Sequence, residues 1–344
     1  MSAVQTSPLP KLRPQSAMTH WERVRAAVAG EAVDHPPVSL WRHFPETDLD
    51  PVKLAAVSVQ WQRTYDFDLV KFMPSGTYGV EDWGATSAFL GSPIGARSVI
   101  RPGVTSAEAW PRLAHLLPTK GRLGQEVAAL GLAAEALNGT VPILQTVFSP
   151  LTTAFKLAGD RVFADLRRHP DLFEAGLAII ADATLAFARA CLRAGAHGLF
   201  FSTQCDSFRL LNEAEYRRFG VPYDRRVLDG VAGESSFTML HLHGDDVMFD
   251  LMLDYPANMV NWHDRRSELD LAGAMGRFDG LLVGGLDEET TLPHGPVQAI
   301  RAEVRNAIAQ TNGRRLMIAP GCVVPIATPD SHYRAVIDAA NEMR

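Results

Sequence analysis

The sequence predicts a single (β/α)8, or TIM, barrel. Short apolar, strand-like runs alternate with helical spacing along almost the whole chain, and polar residues gather where those runs end. No GxGxxG turn follows the first strand, which disfavours the open doubly wound sheet.

The elements read in order as follows. MSAVQTSPLPKLRPQSA is proline-rich and lacks the apolar core of a signal peptide, so residues 1–18 are expected to form a disordered leader and 19–344 the barrel. WERVRAAVAG has amphipathic helical spacing and stops at Gly30; SLWRHF follows as the first strand. PVKLAAVSVQWQRTY opens on Pro51, a residue tolerated in a first helical turn, and LVKFM is the second strand. Residues 76–120, rich in glycine, proline and aromatics, read as long loops over one face. GRLGQEVAALGLAAEALNG is a helix and VPILQTV a buried strand. Helical spacing then runs from Leu151 to Ala194 with a break at His169-Pro170. AHGLFFST, SFTMLHLHG, NMVNWHD, GLLVGGLD and RLMIAPGC bring the strands to eight, with the shortest connector between Asp264 and Phe278.

Composition narrows the function classes. The 344 residues are 47% hydrophobic and 21% charged, with a net charge of −6, so no overall basic field suits nucleic acid. Three scattered cysteines, Cys191, Cys205 and Cys322, make no disulfide framework and point to a reducing, cytoplasmic setting. No segment reads as an uninterrupted apolar membrane span.

Barrel chemistry lies at the carboxyl ends of the strands. There FTMLHLHGDD places His241 and His243 on one strand face, with Cα atoms roughly 6.5 to 7 Å apart, close enough to share one metal ion. Alone, His-x-His fits two hydrogen-bonded histidines equally well. His263, ending the next strand, and Cys322, ending the last, are candidates for a third ligand.

Several colinear segments carry a resemblance. RRFGVPYDRRVLDGV is similar to a helix bearing Pro-Tyr after the fourth strand in the uroporphyrinogen decarboxylase superfamily. NMVNWHDR resembles its "GLDW" strand end, with His263 near the decarboxylase aspartate, and LLVGGLDEETTL resembles "QGNLDP", keeping Leu286-Asp287. APGCVVPIATPDSHYRAVIDA resembles the closing "GHGI-P-T-PE" segment. The resemblance implies a (β/α)8 barrel, in agreement with the strand count.

At the mouth the chain departs from the decarboxylases. SLWRHFPE stands where "RQAGRY" is expected and keeps only Arg42; VKFMP, with Lys71, replaces "FSDI"; Cys322 replaces a histidine. The zinc-dependent cobamide (corrinoid) methyltransferase branch binds zinc through His-x-Cys and a Gly-Cys. Here His241-Leu242-His243 and Gly321-Cys322 match two of those three positions, with His243 in place of a cysteine. Glu81 in GVEDWG resembles that branch's acidic segment.

The resemblance thus implies a zinc on His241, His243 and Cys322, activating a small thiol for methyl transfer with a corrinoid protein or free cobamide as partner. Asp206, His263 and Asp287 would orient substrate or move a proton, and Arg42, Lys71 and Glu81 would hold substrate. The strand-end acids equally fit helix caps. Two other readings stay open. One is a cofactor-free tetrapyrrole decarboxylase, with Asp206 or Asp287 holding a pyrrole cation; the other is a non-catalytic tetrapyrrole- or metal-binding barrel. A dimer is among the states such relatives adopt.

Overall fold

A computed structural model describes residues 18–342, so the expected leader, Met18 apart, lies outside the described residues. Seven parallel strands, each hydrogen-bonded to the next in chain order, form one curled sheet. They are β1 (Val70–Phe72), β2 (Ile143–Phe148), β3 (Gly198–Thr203), β4 (Phe237–Leu242), β5 (Met259–Asn261), β6 (Leu281–Leu286) and β7 (Leu316–Pro320). Alternation sorts their side chains into two apolar groups. Leu144, Phe200, Phe237, Met239, Met259, Leu281, Val283 and Met317 fill the barrel interior. Leu199, Phe201, Leu240, Val260, Leu282 and Ile318 pack outward under the helices.

The expected first strand is the main correction. SLWRHF does not form a strand: only Val38, just before it, makes a single parallel bridge, to Ile318. Pro36 and Pro37 have no N–H to give a ladder, and the Val38 amide turns instead to Asp68 Oδ2 at 2.8 Å. The segment still closes the ring. Ser39 N donates to Ile318 O on one side, and Asp68 N donates to Val38 O on the other, at 3.0 and 2.9 Å.

Other boundaries moved for local reasons. The helical run 151–194 is three helices, Pro150–Ala158, Arg161–Arg168 and Pro170–Arg193, because Gly159 at φ +65° breaks it before the His169-Pro170 step does. The expected loops of 76–120 contain a short helix, Tyr78–Glu81, and a two-stranded hairpin, Thr86–Ala88 with Ser98–Arg101. Helix Pro170–Arg193 is, contrary to expectation, long and apolar enough to cross a bilayer. Asp171, Glu174 and Asp182 interrupt its apolar run, and in the fold it packs between the turn Ala107–Arg112 and helix Val221–Val231.

Helix His20–Ala29, fixed by a Thr19/Glu22 capping box, seats Val24 and Ala27 in the interior group. His20 holds it there, with Nδ1 at 2.8 Å from Asp68 and Nε2 at 3.2 Å from Asp66. Burial alone would lower the His20 pKa; the two carboxylates outweigh it and raise the pKa from 6.5 to about 9. A raised folded-state pKa stabilises fully below pH 6.5, and the contribution disappears as pH climbs through about 9. We expect wild-type protein to lose up to about 3 kcal/mol more stability than His20→Gln between pH 6 and 9.5. Urea midpoints at both pH values check this; equal losses in the two proteins would refute it.

Candidate metal centre

His241 and His243 leave β4 on the inner face, continuing the row Phe237, Met239, as strand alternation requires. His241 is buried, and its register partner on β5 is Asn261. The Asn261 side chain fixes the ring: Oδ1 lies 2.6 Å from His241 Nδ1, while Nδ2 donates to the carbonyls of Val283 and Pro320 at 2.8 and 3.0 Å. Because Nδ2 faces two carbonyls, Oδ1 must accept, so His241 carries its proton on Nδ1 and leaves Nε2 as a free lone pair.

Cys322 reaches the same point from β7. Its Sγ is 3.8 Å from His241 Nε2 and 3.6 Å from His243 Nδ1. Gly321 makes that approach possible: a Cβ there would sit 2.9 Å from both Glu288 Oε2 and the His263 Cα. Ordinary metal–nitrogen and metal–sulfur bonds at tetrahedral angles require N···S separations of about 3.6 Å. The two N···S separations match that value, and all three atoms lie within 4.8 Å of one another, so the set is placed to close on one tetrahedral ion.

Electrostatics agree with that use. Burial, then the neighbouring His243, His263 and Lys71, push His241 well below the usual imidazole range. Burial, His263 and Lys156 take His243 down to about 3. Both rings are neutral at pH 7 and can coordinate. Burial, followed by the Glu288 charge, pushes the Cys322 thiol up to about 11, with Lys71 opposing. That sulfur becomes a thiolate at neutral pH only beside a strong cation.

A third imidazole completes the wall. The His263 ring centroid is 5.3 Å from His243 and 6.2 Å from His241. Its Nδ1 is 2.7 Å from Glu288 Oε1 and 2.6 Å from an Arg266 guanidinium nitrogen, and its Nε2 is buried without a hydrogen-bond partner. Glu288 Oε2 accepts from Gly321 N at 3.0 Å, so one carboxylate ties His263 to the turn that carries Cys322.

The other expected residues divide. Lys71 is buried and faces the site, acting on His241 and Cys322. Arg42 turns away: its guanidinium donates to Ile326 O at 2.6 Å and lies over Phe44 and Trp61. Asp287 accepts from the Thr290 hydroxyl and amide and from Glu289 N, a turn-forming role. Glu81 is held by Thr77 and Ser87, with Arg122 beyond. Asp206 is fully buried beside Asp224, whose carboxylate takes the hydroxyls of Tyr216 and Tyr255; burial pushes the Asp206 pKa well up. Cys205 stays outside the triad, its thiol near Leu151 O.

The family model for uroporphyrinogen decarboxylase (URO-D) matches residues 19–343. The chain belongs to the uroporphyrinogen decarboxylase family. Similar proteins carry two kinds of name. Methylcobamide:CoM methyltransferase MtbA of Methanosarcina mazei is 22% identical over 88% of this chain and 87% of its own. Uroporphyrinogen decarboxylase of Acidovorax sp. is 26% identical over 60% of this chain and 61% of its own. The solved structure of a methyltransferase from Methanosarcina mazei superposes with a TM-score of 0.82 at 23% identity, over 94% of this chain and 99% of that one. The (β/α)8 fold of the family is thus this chain's fold.

Sequence reasoning missed two residues of this family member's site, Glu288 and Lys156. Asn261 and His43 fall among the polar residues at the expected strand ends, a position that gave neither of them a role. Glu288 was hidden behind its neighbour Asp287. Lys156 lies on helix Pro150–Ala158, which no strand-end search reaches.

Proposed function

We propose that this chain is a zinc-dependent methyltransferase that activates a small thiol, with a corrinoid as the methyl-carrying partner. The convergence of His241 Nε2, His243 Nδ1 and Cys322 Sγ at tetrahedral spacing is the observation that carries the reading. Two imidazoles and one thiolate make a borderline-soft set that suits zinc, and three protein ligands leave a fourth position for substrate.

Zinc, when bound, supplies a Lewis acid that lowers the pKa of a thiol in that fourth position. The protein's own groups do the rest. Asn261 holds His241 in the ligating tautomer. With its Nδ1 donating to Glu288 rather than accepting from Arg266, His263 offers a free Nε2 to take the thiol proton. The apolar interior below, with Phe200 and Met239, excludes water from the nucleophile. Methyl transfer then forms the sulfur–carbon bond as the donor's carbon–cobalt bond breaks, the electron pair remaining on the corrinoid. A free thiol ligand set also fits a reducing cytoplasm.

Decarboxylation finds less support, since Arg42 and Asp287 are engaged in local structure and Asp206 lies against Asp224. The test is direct. Zinc-loaded protein incubated with methylcobalamin and a thiol is expected to yield the thioether, and chelator-treated protein is expected to lose that activity and regain it with zinc. Metal-independent release of CO2 from uroporphyrinogen, without thioether, would overturn the proposal.

A further inference from the structure

Two contacts beside the metal ligands make incompatible demands on one atom. His263 Nδ1 lies 2.7 Å from Glu288 Oε1 and 2.6 Å from Arg266 Nη2. An ionised carboxylate only accepts, so the first contact needs a proton on Nδ1. A guanidinium only donates, so the second needs a lone pair there. A neutral ring cannot meet both. With the proton on Nδ1, the ring bonds Glu288 and Nε2 is left as a lone pair. With the proton on Nε2, Arg266 bonds Nδ1 and Nε2 becomes a donor. Nothing at the far nitrogen decides between them, because Nε2 is buried without a hydrogen-bond partner.

Of the three groups, Arg266 is the one with room to move. His263 and Glu288 are buried, and Glu288 Oε2 is held by Gly321 N at 3.0 Å. The Arg266 side chain is 27% exposed and borders a crevice of about 700 Å³ formed by the turns after β3, β4 and β5. Its Nη1 already holds the exposed Glu289 carboxylate at 2.6 Å, while its Nη2 lies 3.3 Å from Glu288. Rotation about the Glu289 anchor would keep that ion pair and lift Nη2 off the ring. The arginine is close enough for its position to matter, since its charge acts on both His243 and Cys322.

We infer that Arg266 is a positioning residue that selects which nitrogen of His263 carries the proton. Docked on Nδ1, it holds the ring in a resting form that donates from Nε2. Withdrawn into the crevice, it leaves Glu288 to accept from Nδ1 and frees Nε2 as the base. The proton lost at one nitrogen and gained at the other is exchanged with solvent, so the ring stays neutral throughout. The resting ring could hydrogen-bond to a bound thiolate but could not accept a thiol's proton. The choice of tautomer stands on the hydrogen-bond geometry; its value to catalysis rests on the methyl-transfer reading.

The test uses the full chain with 15N-labelled histidine, with and without zinc. Long-range 1H–15N correlations give each ring a pattern set by the nitrogen that holds the proton, and the pattern lost in His263→Gln assigns this ring. Wild type should show His263 protonated on Nε2. Arg266→Met should show it on Nδ1, and methylguanidinium added to Arg266→Ala should return the proton to Nε2. An arginine that merely braces the turn would leave the pattern unmoved. In zinc-loaded Arg266→Met, thioether formation should rise by up to about tenfold, because the competent ring form is no longer a minor population. The same tautomer in wild type and both arginine variants overturns the inference, as does a slower reaction alongside a shifted tautomer. A shifted tautomer with no thioether formed by either protein upholds the selection by Arg266 and refutes the methyl-transfer reading instead.

Discussion

Replacing Cys322 with serine is expected to strip the site of metal. Protein purified without added zinc should carry about one equivalent in the wild type and almost none in Cys322→Ser or His241→Ala. Losing even an outer partner of a metal ligand lowers affinity by about 10- to 100-fold, so losing a ligand should cost at least about 1000-fold. Thioether formation should fall with the metal. The effect should be specific: Cys322 is half-buried and serine keeps its shape, so metal-free Cys322→Ser should unfold at the same temperature as metal-free wild type. Metal content by mass spectrometry, with Tm measured on chelated samples, separates ligand loss from misfolding. A full equivalent of tightly held zinc in Cys322→Ser would end the assignment.

Asn261→Leu should damage both the fold and the site. The side chain is fully buried and satisfies three groups at once: His241 Nδ1, Val283 O and Pro320 O. Leucine removes all three bonds at about 1–3 kcal/mol each, so a loss of about 3–9 kcal/mol is expected in urea unfolding. It also frees the His241 ring to turn and change tautomer, which should weaken zinc binding by about 10- to 100-fold. Asn261→Asp separates the two roles. The carboxylate still accepts from His241 but cannot donate to the carbonyls, so metal affinity should be largely kept while stability falls. Loss of metal in the aspartate variant equal to that in the leucine variant would argue against the orienting role.

Seven of the eight expected strands, and the shared face of His241 and His243, were legible because regular alternation fixes side-chain direction. The row Phe237, Met239, His241, His243 needs only period two, and the ladder continues to His243 N, which donates to Thr203 O at 3.0 Å. Prediction failed where the backbone leaves that regularity. Near the end of β6, Gly285 at φ +101° interrupts the alternation, and beyond it Glu288 meets His263 while Asp287 closes a turn. In the segment 39–44 no ladder exists, and Arg42 faces out while His43 faces in. Nothing in composition or spacing distinguishes those neighbours. The approach of Cys322 was likewise unreadable from strand order, since β4 and β7 are not adjacent; the space left by a missing Cβ at Gly321 brings the sulfur across.

The single bridge at Val38 has a consequence for how such a barrel diversifies. A chain held in a ladder cannot insert, delete or invert a residue without flipping every side chain beyond it. The stretch from Leu40 to Phe44 carries no such obligation, because the ring is closed at Val38 and Ser39 before it begins. It can exchange the residues it offers to the pocket one at a time, leaving the metal-bearing strands on the far wall undisturbed. In this architecture the choice of substrate can drift along one wall while the chemistry stays anchored on the other.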